Sequence, residues 1–206
     1  MTRIINAKKK VSRKLRVNLW GSDKDPFLKK NYKPGQHGAN LRTRPTDYGN
    51  QLRAKQILKS YYANMTERQF RNIFKEAAKN KGDTGENFIT LLELRLDVVI
   101  YRANFVKTMF AARQFISHKH ITINDKVVNI SSYRLKIGDV VKIKDKHKDL
   151  ALVVESLASS DKRDIAPYLE VNEEDRSVKI TSEPNFSDVP YPIEIETNLI
   201  VEFYSR

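Results

Sequence analysis

The chain has 206 residues, no cysteine and a formal net charge of +13. That length is enough for one or two domains with real cores, and the missing thiols exclude disulfides and thiolate metal sites. The longest apolar run, Leu150 to Val154, is far short of the ~18 residues of a membrane span; with no apolar signal core at the start, a soluble, unexported protein without a membrane partner is expected.

The charge is arranged in blocks. Residues 1–60 hold 16 Lys plus Arg against 3 acids and residues 61–148 hold 17 against 9, whereas residues 149–206 hold 5 against 13. A basic region of this size attracts a polyanion by releasing condensed counterions, and such binding weakens steeply as salt rises. The bland alternative is a solvated face or basic tail. An anionic membrane fits less well, because no basic amphipathic helix carries a lipid-facing aromatic stripe.

In chain order, Met1 to Arg44 mixes basic clusters (Lys8, Lys9, Lys10, Arg13, Lys14, Arg16) with breakers at Gly21, Pro26, Pro34, Gly35 and Gly38. Its apolar density is too low to fold alone, and it is expected to order against a partner. Thr46 can cap a helix to about Tyr62, with Tyr48, Leu52, Leu58 and Tyr62 on one side and Arg53, Lys55 and Lys59 elsewhere. A second helix starts at Thr66, with Phe70, Ile73, Phe74, Ala77 and Ala78 at the helical core repeat, Arg68, Arg71, Lys75 and Lys79 on the other face, and Gly82 and Gly85 as its stop. The spacing of Phe70 and Phe74 makes them core before it makes them base-stacking platforms.

Residues 86–102 read as one further helix, and Thr108 caps a shorter one containing Ala112, Phe115 and Ile116. After His118 the period changes to alternation: Ile121–Ile123, a turn at Asn124-Asp125-Lys126, Val127–Ile130, then Asp139 to Lys144 after Gly138. Asp149 to Ala158 is helical again, and strand-like pieces follow at Tyr168–Val171, Val178–Ile180 and Leu199–Tyr204. The fold class is α+β, without internal repeats.

Arg102, Lys107, Arg113, Gln114, Ser117, His118 and Lys119 gather around the second of these helices and its exit. Arginine supplies planar bidentate phosphate contacts, while Gln, Ser and His offer hydrogen bonds to ribose hydroxyls and base edges. His118 and His120 could suggest a metal, but without cysteine or a nearby carboxylate cluster a full ligand set does not assemble. Gly82 and Gly85 form no phosphate-cradling loop. No cofactor is expected.

Arg95-Leu96-Asp97-Val98-Val99-Ile100-Tyr101-Arg102, Ala112-Arg113-Gln114-Phe115-Ile116-Ser117-His118-Lys119-His120-Ile121, Ile123-Asn124 and Ile137-Gly138-Asp139-Val140-Val141 resemble the S-four RNA-binding domain. One departure is visible: Asn124-Asp125 stands where that domain usually has Asn-Gly, and Asp tolerates the left-handed turn less well than Gly. Flanking stretches, among them Pro34-Gly35-Gln36-His37-Gly38, Asp47-Tyr48-Gly49, Glu67-Arg68-Gln69-Phe70-Arg71, Thr84-Gly85-Glu86-Asn87 and Leu199-Ile200-Val201-Glu202-Phe203-Tyr204-Ser205, resemble in order the bacterial type of the S-four family of small-subunit ribosomal proteins.

The resemblance implies an extended basic arm (1–45), a helical N-terminal domain (46–93), an RNA-binding module of two helices and a small antiparallel sheet (94–157), and acidic C-terminal strands packing on the body (158–206). It also implies a non-catalytic cytoplasmic protein of the small subunit, an organelle being the alternative site. Such a protein would bind 16S rRNA directly, nucleate assembly of the subunit body, touch the neighbouring protein S-five and influence decoding accuracy. His37, Arg42 and Arg44 then join the RNA-facing residues, the two arginines near mRNA where it enters the subunit. No obligate homo-oligomer is implied. Other proteins use the same module as RNA-modifying enzymes or ribosome-associated RNA chaperones. Pseudouridine synthases carry a similar Arg-Leu-Asp with a catalytic aspartate, whereas here Asp97 lies in an apolar-periodic helix and is expected to pair locally.

Overall fold

The computed structural model describes residues 8–40, 44–159 and 163–205. Two compact units divide the chain, one built from residues 1–75 with 191–206 and the other from residues 76–190.

The first unit begins with α1 (Lys8–Leu15) and the single-turn α2 (Pro26–Lys29), where only an irregular arm was expected. The order has local causes. Asp25 caps α2 by accepting the Phe27 amide at 2.8 Å, and Pro26 supplies the preset first residue. Leu15 and Leu19 are buried, and Arg53 on α3 (Asp47–Tyr61) donates from Nε and Nη2 to the Leu15 carbonyl at 3.2 and 3.1 Å. Trp20 donates its indole N–H to the Tyr61 carbonyl at 3.1 Å. Further along, a side chain at Gly38 would meet the Lys33 carbonyl oxygen at 1.8 Å, so this turn admits only glycine.

Thr46 caps α3 as its sequence predicts, through the Gly49 amide at 3.1 Å, and α4 runs Glu67–Ala77. Against α3 lies α9 (Thr197–Ser205), a helix where the sequence suggested a strand. The β-branched Ile200 and Val201 misled the propensity reading. The i, i+3, i+4 set Ile200, Phe203 and Tyr204 decides instead: Ile200 is buried, the Phe203 ring lies 5.7 Å from Tyr48, and Tyr204 lies 4.6 Å from Phe74.

The second unit opens with α5 (Thr84–Glu93), whose N-terminus Asp83 caps by accepting the Gly85 and Glu86 amides. Gly85 therefore starts a helix instead of ending one. The expected single helix over 86–102 is two, because the chain breaks at Arg95 before α6 (Leu96–Arg102). The break is tolerated because segment 131–135 satisfies the exposed backbone: Leu96 and Asp97 amides donate to the Tyr133 and Ser131 carbonyls at 2.9 and 3.1 Å, and the Leu135 amide donates to Leu94 at 2.9 Å.

Helix α7 (Met109–Ser117), capped by Thr108 through the Ala111 amide, leads into β1 (Ile121–Ile123), β2 (Lys126–Val128) and β3 (Val140–Ile143). A 3₁₀ turn (Asp145–His147) and α8 (Ala151–Leu157) follow. The acidic segment then returns as β4 (Leu169–Asn172) and β5 (Ser177–Ile180), and β5 pairs with β3 in the register Val141↔Val178. One antiparallel sheet of order β2-β1-β3-β5-β4 results, burying Ile121, Ile123, Val141, Ile143, Val178 and Ile180 on one face.

The β1–β2 hairpin has Ile123 opposite Lys126, leaving Asn124 (φ 46°) and Asp125 (φ 64°) as a two-residue turn with both residues left-handed. Glycine holds the second position of such a turn without a Cβ clash. Asp125→Gly should therefore stabilise the fold by about 0.5–1 kcal/mol, read as a higher urea midpoint at unchanged slope.

Candidate nucleic-acid interface

In the second unit, α7 presents the exposed side chains of Gln114 and, at its C-terminal exit, His118 and Lys119. Lys119 takes a left-handed turn (φ 62°) that ends the helix, its amide bonding the Ile116 carbonyl at 2.9 Å. Lys107 is exposed before the helix, with Glu155 at 3.5 Å. Ser117 donates its hydroxyl to the Arg113 carbonyl at 2.6 Å.

Behind this face lies a buried ion triad. Arg95 donates twice to Asp97, at 3.0 and 2.9 Å, and Arg113 Nε donates to the same carboxylate at 2.8 Å. Asp97 is 2% exposed. Its carboxylate is thus engaged locally between two guanidinium groups, and it holds Arg113, expected on the RNA-facing surface, mostly buried with its side chain 15% exposed.

In the first unit, Lys10, Lys14, Arg16, His37 and Arg44 are exposed, as are Arg68, Arg71 and Lys75 along one face of α4. Arg13 turns inward to the Tyr32 carbonyl at 3.3 Å and over the Tyr32 ring. Lys8 and Lys9 belong to α1, but their side chains lie outside the described residues, as does Arg42 altogether.

Residues 3–93 match the family model for the ribosomal protein S4/S9 N-terminal domain, and residues 94–141 match the S4 domain. Small ribosomal subunit protein uS4 of Pelagibacter ubique is 52% identical over 206 residues, and that of Afipia carboxidovorans likewise; the Caulobacter vibrioides protein is 50% identical over 205. Each alignment covers 100% of both chains. The chain belongs to the bacterial uS4 family.

Two of the expected RNA contacts are corrected within this uS4 fold. Arg102 is 0% exposed: its guanidinium donates to Glu93 from Nε and Nη2, both at 3.0 Å, and to the Pro190 carbonyl at 2.9 Å. Tyr168 adds a hydroxyl bond to Glu93 at 2.7 Å, so Arg102 belongs to a sealed polar core. Lys55 is 5% exposed, with Nζ 2.9 Å from Glu67 and 4.2 Å from the centre of the Phe203 ring. Lys59 and the Tyr204 hydroxyl also donate to Glu67, at 3.0 and 2.8 Å. Partial burial pushes the Glu67 carboxyl up, but the bonds from Lys55, Tyr204 and Lys59 outweigh that and lower it to about 2. This knot fastens α9 to α3 and α4. Arg53 is exposed as expected, and its guanidinium also donates to the Leu15 carbonyl.

The uS4 chain also presents cations that the sequence reading did not single out. The segment around β3 and the 3₁₀ turn carries Lys142, Lys144, Lys146 and Lys148, four basic residues within seven positions, beside His147. The signal was present as a charge run, but the alternation of β3 drew attention to its apolar partners. Lys148 pairs with Asp145 at 2.7 Å, and Lys142 and Lys146 are exposed. Among the described residues no group of three or more His, Cys, Asp or Glu could hold a metal ion, and no helix is long and apolar enough to cross a membrane.

Proposed function

We propose that this uS4-family chain is a structural, non-catalytic protein of the small ribosomal subunit that binds 16S rRNA directly and nucleates assembly of the subunit body. The observation that carries this reading is half-identity to bacterial uS4 proteins over the entire chain. Exposed cations on α4, at the exit of α7 and along residues 142–146 support it, since each can neutralise a phosphate while polar Gln114 and His118 meet riboses or bases. An RNA-modifying enzyme is not favoured, because the aspartate of Arg95-Leu96-Asp97 sits between two arginines.

Contact with protein S-five, and through it an effect on decoding accuracy, belongs to the same reading. Its support is a groove of about 500 Å³ between α3 and α9 in the first unit, where the carboxylates of Asp47, Glu196 and Glu202 outnumber the one cation in the lining, Arg53. Carboxylates repel RNA and suit a basic protein partner. Arg42 and Arg44, which precede α3 in the sequence, are the residues for mRNA on its way into the subunit. The ribosome of the cytoplasm is the proposed location.

The test is filter retention of transcribed 16S rRNA by the full chain between 50 and 200 mM salt. Affinity should fall by roughly 10³–10⁵ over that range if six to ten phosphates are contacted. A flat salt response, or equal retention of an unrelated structured RNA of the same length, would overturn the reading.

A further inference from the structure

Three of the four histidines of this chain gather in one place. The His120 ring, just ahead of β1, has its centre 4.2 Å from His147 in the 3₁₀ turn and 5.8 Å from His118 at the end of α7, meeting both nearly edge-on. Phe115 backs it at 4.8 Å. His120 Nδ1 is shut off from solvent and has no hydrogen-bond partner among the described residues.

The charged groups around these rings are overwhelmingly positive. Lys119 comes from the exit of α7, Lys142 from β3, and Lys144 and Lys146 from the turn. The acid in that turn, Asp145, is occupied by Lys148 at 2.7 Å. Two imidazolium ions with ring centres 4.2 Å apart repel each other, and the lysines add to the repulsion. An arriving polyanion removes that penalty.

We propose that His118, His120 and His147, with Lys119, Lys144 and Lys146 about them, form a proton-dependent phosphate-binding patch, so that RNA binding there is accompanied by proton uptake. The inference rests on the RNA-binding reading above and adds to it both the turn after β3 and a chemical handle. Linkage fixes its direction. Burial, then the charges of His147, His118, Lys144 and Lys146, hold His120 below its ordinary value in the free chain; partial desolvation, then Lys146 and Lys144, do the same to His147. Phosphates favour the protonated rings and raise both values on binding. Affinity therefore climbs as pH falls through the histidine range and is level above it. The free fold responds in the opposite sense: histidines held below their unfolded value near 6.5 give stability that is present above that pH and lost as pH falls through the folded values.

The experiment measures retention of 16S rRNA by the full chain at constant ionic strength from pH 8 to pH 5.5. Wild-type affinity should rise by up to about tenfold for each histidine whose pKa moves up one unit on binding, and by up to about a hundredfold for two. His118→Gln with His147→Gln, which leaves His120 packed on Phe115, should make the pH slope shallower, and adding His120→Gln should remove most of what remains. Glutamine keeps hydrogen-bonding groups without a proton to gain, and titration of the RNA bases is common to every variant. A wild-type slope that survives in the triple variant, or that is absent throughout, overturns the proposal while leaving RNA binding intact. Failure to retain the RNA at any pH overturns the RNA-binding reading and this inference together.

Discussion

Replacing Arg102 by alanine is expected to cost the second unit about 3–5 kcal/mol, the range for breaking a buried ion pair from one side. The cost arises because Glu93, itself 0% exposed, would keep its buried carboxylate while losing both bonds from the Arg102 guanidinium. Urea unfolding reads the loss as a lowered midpoint. A companion variant separates repair from deletion: Arg102→Met with Glu93→Leu removes both charges and should recover most of the stability, since apolar replacement of an entire buried pair is often neutral. A single-variant loss below about 1 kcal/mol, typical of exposed pairs, would contradict the sealed geometry.

Neutralising Lys142, Lys144 and Lys146 together should leave the fold standing and weaken 16S rRNA binding about a hundredfold at physiological salt, because each lost phosphate contact removes about 0.9 from the log–log salt slope. The slope itself should become shallower by up to about 3, and weak and strong RNA targets should suffer alike, since phosphate contacts position the protein without reading sequence. Salt titrations of wild type and triple alanine variant make the comparison. An unchanged slope would place this stretch of the chain away from the RNA.

The sequence was most legible where one signal dominated. Thr46 and Thr108 marked helix starts that the structure keeps, and alternation after His118 located β1 and β3 to within a residue. It was least legible where distant chain decides. Nothing local announces that segment 131–135 will satisfy the backbone at Arg95, and so the helix broken there read as continuous. Leu199–Tyr204 looks extended by composition, and its helical state depends on the aromatic and acidic surfaces of α3 and α4. Charge was legible as a total but not as an address. Arg102 and Lys55 carry the same formal charge as Arg68 and Arg71, yet the first two are buried and committed to Glu93 and Glu67.

The assembly of one unit from both flanks of the chain bears on how the molecule is made. Residues 76–190 are translated as an uninterrupted block, so the sheet and the Arg102–Glu93 core have every strand and charge they need before residue 191 is added. The earlier-made α3 and α4 must meanwhile wait with Phe74 and the Lys55–Glu67 pair without their α9 partners until α9 is synthesised. In vectorial synthesis the middle of this polypeptide thus matures ahead of its beginning, and the last turns to be made close the structure that the first ones opened.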